Sequence, residues 1–197
     1  KITKWNHESL KKLNPKIKLL AYSNPMEFFV PMVPDRPMQK KILLEVNEKY
    51  PGWFLKQADG SPVIFWRGMR MMNLSVLCPL IDGKRWNVFI AGYLLDHVLK
   101  DPIWDGYFMD NSGGNISWVN NGNIYADNNG IADAPEMLDT AWSAGIKEFL
   151  SIIRQAKGSK FIMIGNKGSL EFLDILDGKM FEEFPNNYLG DKKAEGW

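Results

Sequence analysis

The residues of this chain most able to do chemistry are polar side chains that close apolar runs. Trp104-Asp105-Gly106-Tyr107-Phe108-Met109 ends on Asp110-Asn111, and Phe161-Ile162-Met163-Ile164 runs into Gly165-Asn166. Ile17 to Tyr22 ends on Ser23-Asn24, and Gly178-Lys179-Met180-Phe181 leads into Glu182-Glu183. If these runs are strands of a parallel sheet, their carboxyl ends are where working side chains collect. The resulting set is Tyr22, Asn24, Asp110, Asn111, Asn166, Glu182 and Glu183. Carboxylates serve as acid, base or nucleophile, while Asn and Tyr hydrogen-bond to hydroxyls.

Asp110 is the sharpest candidate, because a carboxylate at the end of an apolar strand is costly unless it is paired or faces water. The competing assignment is an Asx turn into Asn111-Ser112-Gly113-Gly114. Strand alternation sends Glu182 and Glu183 to opposite faces, and the residues alone favour neither. Two carboxylates on separate strands suit cleavage of a glycosidic bond. One protonates the leaving oxygen and the other attacks the anomeric carbon or activates water. Separations of roughly 5–5.5 Å imply retention and about 6.5–9.5 Å inversion.

The elements that must hold these residues alternate between strand and helix, as in an α/β fold with a parallel sheet. Trp5–Leu13 reads as a helix stopped before Pro15. Asp35-Arg36-Pro37 opens another helix, with Asp35 as N-cap and Met38, Ile42 and Val46 as its buried stripe. Trp53–Lys56 and Val63–Trp66 read as short extended segments around Asp59-Gly60. Trp86–Lys100 is helical, ending before Pro102. Asp133-Ala134-Pro135-Glu136 has the form of a capping box. The helix behind it carries Leu138, Trp142, Ile146, Phe149 and Ile153 on one face and ends at Gly158. Ser169–Leu176 reads as a short helix and Gly178–Phe184 as the last strand. The expected fold is a (β/α)8 barrel. A full barrel takes about 250 residues, so residues 1–197 are expected to form one catalytic domain incomplete at both ends. A smaller doubly wound sheet is the alternative.

Composition narrows the partners. The charge is balanced, with 24 Lys plus Arg against 23 Asp plus Glu, and no polybasic run points to nucleic acid or an anionic membrane. No apolar run reaches the ~20 residues of a membrane span. The single Cys78 cannot form an intramolecular disulfide, and no Cys/His cluster suggests a metal or cofactor. Most of the eight Trp and six Tyr are expected to fill the core, but such rings also stack on the C–H faces of sugars. Trp66 and Trp104, near strand ends, are the stacking candidates, against ordinary packing. His7 and His97 are isolated, and Met69, Met71 and Met72 read as gap-filling core. Gly165-Asn166-Lys167-Gly168 lacks the spacing of a phosphate loop.

Asp105-Gly106-Tyr107-Phe108-Met109-Asp110-Asn111 resembles the D-G-x-F-x-D-[ND] strand of glycoside hydrolases with α-amylase-like or α-galactosidase-like barrels, among them relatives of the endo-α-polygalactosaminidases. Leu19-Leu20-Ala21-Tyr22 is similar to their early strand ending in Tyr. The helix around Trp142 and Arg154 resembles their W-x-x-G…L-x-x-x-R helix, and Gly178-Lys179-Met180-Phe181-Glu182 their late G-x-[ML]-x-E strand. The resemblance covers about Trp5 to Phe184. It implies Asp110 as nucleophile or base and Glu182, rather than Glu183, as acid. It also implies a barrel fold and a carbohydrate substrate. No cofactor is expected, and the setting is left open, leaning to extracellular or cell-surface. Asp127-Asn128-Asn129-Gly130-Ile131-Ala132-Asp133 departs from the calcium loop of some relatives. Tyr125 and Asn129 stand where acids are expected, so no metal is assigned. A non-catalytic carbohydrate-binding or surface-assembly module on a degenerate barrel is the second reading. A lyase or phosphate-ester enzyme is the third.

Overall fold

The computed structural model describes residues 4–30, 37–167, 170–181, 188–189 and 192–193. Helix α1 (Lys4–Leu13) leads into strand β1 (Leu20–Ser23) and the short β2 (Glu27–Phe29). Helix α2 (Pro37–Lys49), strand β3 (Met69–Met71) and helix α3 (Trp86–His97) precede β4 (Gly106–Met109). Helix α4 (Pro135–Lys157), β5 (Ile162–Asn166) and β6 (Gly178–Met180) complete the main body. A small antiparallel pair, β7 (Tyr188–Leu189) with β8 (Lys192–Lys193), follows.

The fold is mixed α/β around a four-stranded parallel sheet in the order β1-β4-β5-β6. Each strand joins the same edge as the chain advances, so the order never reverses. A doubly wound sheet reverses at a switch point; this one does not. The sheet is open among the described residues, and the (β/α)8 barrel, expected to be incomplete at both ends, is not closed in them. Between β1 and β4 the chain makes a side layer, where β2 pairs antiparallel with β3. Neighbouring segments extend it through Leu55 N–H to Met71 O (3.0 Å) and Val63 N–H to Leu55 O (3.1 Å).

The register explains which side chains meet. Ala21, Tyr107 and Met163 align on one face; Tyr22, Phe108 and Ile164 align on the other. The first face is covered by α4, whose Phe149 meets Tyr107 edge-on at 6.0 Å between ring centres. Helices α3 and α4 are joined by Asn87 Nδ2 donating to Gly145 O (3.1 Å) and to Glu148 Oε2 (2.7 Å). Glycine is needed at 145 where α4 passes the segment before α3, since a Cβ there would sit 1.8 Å from Leu74 O. Gly106 is required for the same reason, with a Cβ only 2.2 Å from Ile162 O of the adjacent strand.

Trp53, Trp86, Trp142, Tyr107, Phe54 and Phe149 are fully buried in one continuous core. A buried aromatic of this size removes roughly 150–250 Å² from water, worth about 4–6 kcal/mol each. The apolar stripe expected on α4 is its buried face: Leu138, Trp142, Ile146, Phe149 and Ile153. Met71 and Met72 are core residues.

Several expectations are corrected. Ser169–Leu176 is not a helix: residues 171–175 form turns around Phe172, whose φ is 63°. Trp53 closes a 3-10 turn, Pro51–Trp53, before the chain extends through bridges at Phe54 and Lys56. The N-cap of α4 is Ala134, with no side-chain cap bond. Asp133 turns away and accepts from Ala126 N–H at 2.6 Å. Asp35, offered as N-cap of α2, lies outside the described residues. No helix among the described residues is long and apolar enough to cross a membrane.

Candidate functional site

Three parallel strands deliver one carboxylate and its two donors to the same place. Asp110 follows β4 directly, Tyr22 lies near the end of β1, and Asn166 ends β5. The register puts all three on the face not covered by α4. Tyr22 OH donates to Asp110 Oδ2. Asn166 Nδ2 donates to Asp110 Oδ1 at 2.8 Å, and Asn111 N–H donates to the same oxygen at 2.9 Å. The carboxylate is therefore clamped on both oxygens while remaining half-buried at the strand ends. Asp110 N–H in turn donates to Ser23 O (2.9 Å), extending the ladder to the site itself.

The backbone leaves the strand sharply. Asn111 adopts φ 52°, a left-handed conformation that Asn tolerates better than most side chains. Ser112 N–H then donates to Asn166 O (2.9 Å), locking the loop against β5. Lys179 Nζ on β6 donates to Ser112 O (2.9 Å) and Ser112 Oγ (2.8 Å). Burial pushes the Lys179 ammonium down to about 8, against the opposing charge of Glu171.

The structure brings Tyr22, Asp110, Asn111 and Asn166 together. Asn24 turns elsewhere, its Nδ2 donating to Glu27 Oε1 at 3.0 Å. Trp66 is exposed, and its ring packs on Phe65 at 5.1 Å. Trp104 precedes β4, so it lies at the opposite end of the sheet from Asp110, edge-on to His7 at 4.7 Å. Glu182 and Glu183 lie outside the described residues.

Two residues not singled out from the sequence join the site. Trp118 meets Phe65 at 5.1 Å, so Phe65, Trp66 and Trp118 form an aromatic ledge. Lys167, next to Asn166, sits with Nζ 4.7 Å from the centre of the Trp118 ring. The other is Glu27, only 1% exposed. Burial pushes its carboxyl up to about 7, with the Asp110 charge adding to the effect; Asn24 and the Trp66 backbone N–H pull the other way. The signal for Glu27 was visible in Pro25-Met26-Glu27-Phe28-Phe29, an acid inside an apolar run. A cleft of about 740 Å³ runs along β1 past Tyr22, Ser23 and Asn24. Its far wall is apolar, built from Ile42, Ile90 and Leu94.

The other motif residues are structural. Asp105 accepts from Leu19 N–H (2.9 Å) and pairs with Lys11 and Lys18. Arg154 donates to Phe161 O (2.6 Å), Ile175 O (2.7 Å) and Asp177 Oδ2 (2.8 Å), tying the end of α4 to the strands beside it. In the loop read against a calcium site, Asp127 accepts from the backbone and side chain of Asn129. Among the described residues no cluster of three or more His, Cys, Asp or Glu could hold a metal ion.

No curated protein matches this chain. A family model does, over residues 11–196, which takes in every strand and helix of the parallel sheet from β1 to β6. The carboxylate at the strand ends is thus set in a matched sequence, and the chain belongs to the hypothetical glycosyl hydrolase family 15.

Proposed function

We propose that the protein is a glycosidase that cleaves O-glycosidic bonds of an oligo- or polysaccharide with two carboxylates, Asp110 being one of them. The observation that carries this reading is the clamp on Asp110 by Tyr22 and Asn166 from the two flanking strands. A carboxylate fixed in this way is oriented before substrate arrives, which lowers the entropic cost of attack or base catalysis. Asp110 acts as nucleophile or base. The proton donor is Glu182, by resemblance to barrel glycoside hydrolases. Asn111, Trp66 and the neighbouring Trp118 suit the hydroxyls and C–H faces of a bound sugar.

The sheet itself is proposed as an arc of a (β/α)8-type barrel. The unreversed strand order supports this. So does the face bearing Leu20, Phe108 and Ile164, which is apolar yet only part-buried among the described residues. Closure of a barrel would turn that face inward.

The test is a polysaccharide digestion screen with the wild type, Asp110→Asn and Glu182→Gln. Hydrolysis by the wild type and its loss in both folded variants is the expected result. Full activity in either variant rejects that residue's role. Glycan binding without turnover, unaffected by Glu182→Gln, would favour a carbohydrate-binding module instead.

A further inference from the structure

Beneath the strand ends lies a carboxyl that the two-carboxylate reading does not use. Glu27 opens β2, and its side chain is buried between groups from three separate segments. Asn24, just past β1, donates to Oε1 at 3.0 Å. The backbone of Trp66, just before β3, and the carboxylate of Asp110, at the end of β4, both act on it electrostatically. Oε2 has no hydrogen-bond partner among the described residues. A buried polar atom without a partner is costly, and native proteins keep few of them. Asn24, Trp66 and Asp110 were each singled out separately as strand-end residues, and they converge on this one acid.

We propose that Glu27 is a positioning residue of the site, a buried neutral acid whose proton keeps a second negative charge away from Asp110. The inference rests on the reading of Asp110 as the reacting carboxylate. Like charges sharing a desolvated site cannot both ionise cheaply, so burial and the neighbouring Asp110 charge both favour the protonated form of Glu27. Burial is the larger influence on Glu27 and the Asp110 charge adds to it; together they put its titration near 7. The other titratable neighbours along β1 and β4 are the Tyr22 and Tyr107 phenols. Tyr107 is bonded to Ser23 Oγ at 2.7 Å and its phenol is raised by burial. Arg70, on β3 beside the Glu27 partner Met71, places its guanidinium over the Phe54 ring at 3.8 Å rather than in an ion pair with Glu27.

When Glu27 ionises, a second negative charge appears beneath Asp110. The Asn24 and strand-end geometry then has to accommodate two carboxylates. Turnover should therefore fall as pH rises through about 7. Glu27 neither attacks the sugar nor protonates the leaving oxygen, so its effect on turnover passes through Asp110.

Two measurements test this. The first follows Glu27 by ¹³C NMR of a glutamate-labelled chain, with Glu27→Gln identifying the signal. The expected result is titration near 7 in the wild type and a small downward move in Asp110→Asn, because the like charge has gone while burial, the largest cause, remains. A Glu27 signal in the ordinary carboxylate range, or one that ignores Asp110→Asn, overturns the proposal whether or not hydrolysis is detected. The second is the pH profile of kcat/KM on the glycan identified by the digestion screen. The wild type should lose rate above pH 7, and Glu27→Gln should lose that limb whatever its plateau. An unchanged limb in Glu27→Gln overturns the proposal and leaves Asp110 untouched. Failure of the hydrolase reading has a different signature: no turnover by the wild type, or full turnover by Asp110→Asn.

Discussion

The two faces of the parallel sheet are built from the same strands and do opposite work. On one, Ala21, Tyr107, Met109 and Met163 are buried under α4. On the other, Leu20, Phe108, Ile162 and Ile164 are only part-covered and Tyr22 is 64% exposed, yet this face holds the clamped Asp110. Alternation of side chains along a strand makes the division possible, because each strand feeds both faces at once. The helix-covered face supplies stability by burial. The other face supplies hydrogen-bonding groups at strand ends whose backbone is already fixed. Chemistry and folding should therefore be separable by mutation.

The sharpest separation comes from Asp110. Asparagine keeps its shape and can still meet Asn111 N–H, but it cannot act as nucleophile or base. Activity should fall by about 10⁴-fold, near 5 kcal/mol of barrier, with the thermal midpoint almost unchanged. Circular dichroism melting beside a hydrolysis assay reads both quantities. A melt lowered by many degrees would mean that Asp110 is structural.

The mirror experiment is on the covered face. Trp142 is fully buried on α4, and its Nε1 donates to Gly113 O at 3.2 Å. Trp142→Ala should cost about 3–5 kcal/mol of stability through the cavity it leaves, measured by urea unfolding. Whatever folded fraction remains should keep its turnover per folded molecule. A selective loss of turnover would join the two faces functionally.

What the sequence made legible follows the same division. The α4 stripe could be read because 23 residues of 3.6-residue periodicity leave little ambiguity. The strand-end rule picked out Tyr22, Asp110, Asn111 and Asn166, which the fold brings together, because a carboxylate or amide closing an apolar run has few places to go. Ser169–Leu176 has helical spacing too, but eight residues do not repay helix nucleation, and Phe172 takes φ 63° instead. Asp133 was misplaced by one residue: Pro135 fixes the first turn, leaving Ala134 to cap and Asp133 free to bond Ala126. Trp104 looked equivalent to Trp66 in sequence, yet strand direction sends it to the far end of the sheet. Glu27 stands inside an apolar run, but its place beside the strand ends depends on β2 pairing with β3 from some forty residues later, and local pattern carries no record of such a pairing.

Glu27 gives an effect of middle size, and it is pH-dependent. Its carboxyl lies near 7 in the folded chain against an ordinary value of 4.5. Between those values the native state holds a proton that the unfolded state has released. Stability then falls as pH rises through the window and stays lower above it. Glutamine does not titrate, so Glu27→Gln should gain roughly 2 kcal/mol on the wild type between pH 4.5 and 7.5, after allowing for solvent screening at the strand ends. Chemical denaturation of both proteins at the two pH values measures the difference. A stability gap that does not change with pH would show that Glu27 ionises normally in the native state.

The smallest effect tests whether the clamp matters or merely exists. Tyr22 is exposed and stacks on Phe108 at 5.9 Å between ring centres, so Tyr22→Phe keeps the packing and removes only the hydroxyl that donates to Asp110. Water can replace that donor at an open strand end, which limits the loss of stability to a few tenths of a kcal/mol. Orientation of the carboxylate is another matter. Water is mobile where the phenol is fixed, and Asn166 and the Asn111 N–H then hold only the other oxygen. Turnover should drop by about tenfold, roughly 1.4 kcal/mol, with KM little changed, because the lost contact is to the reacting group and not to the substrate. A rise in KM at constant kcat would instead place the Tyr22 hydroxyl on the sugar, and Asp110 would need no clamp from β1.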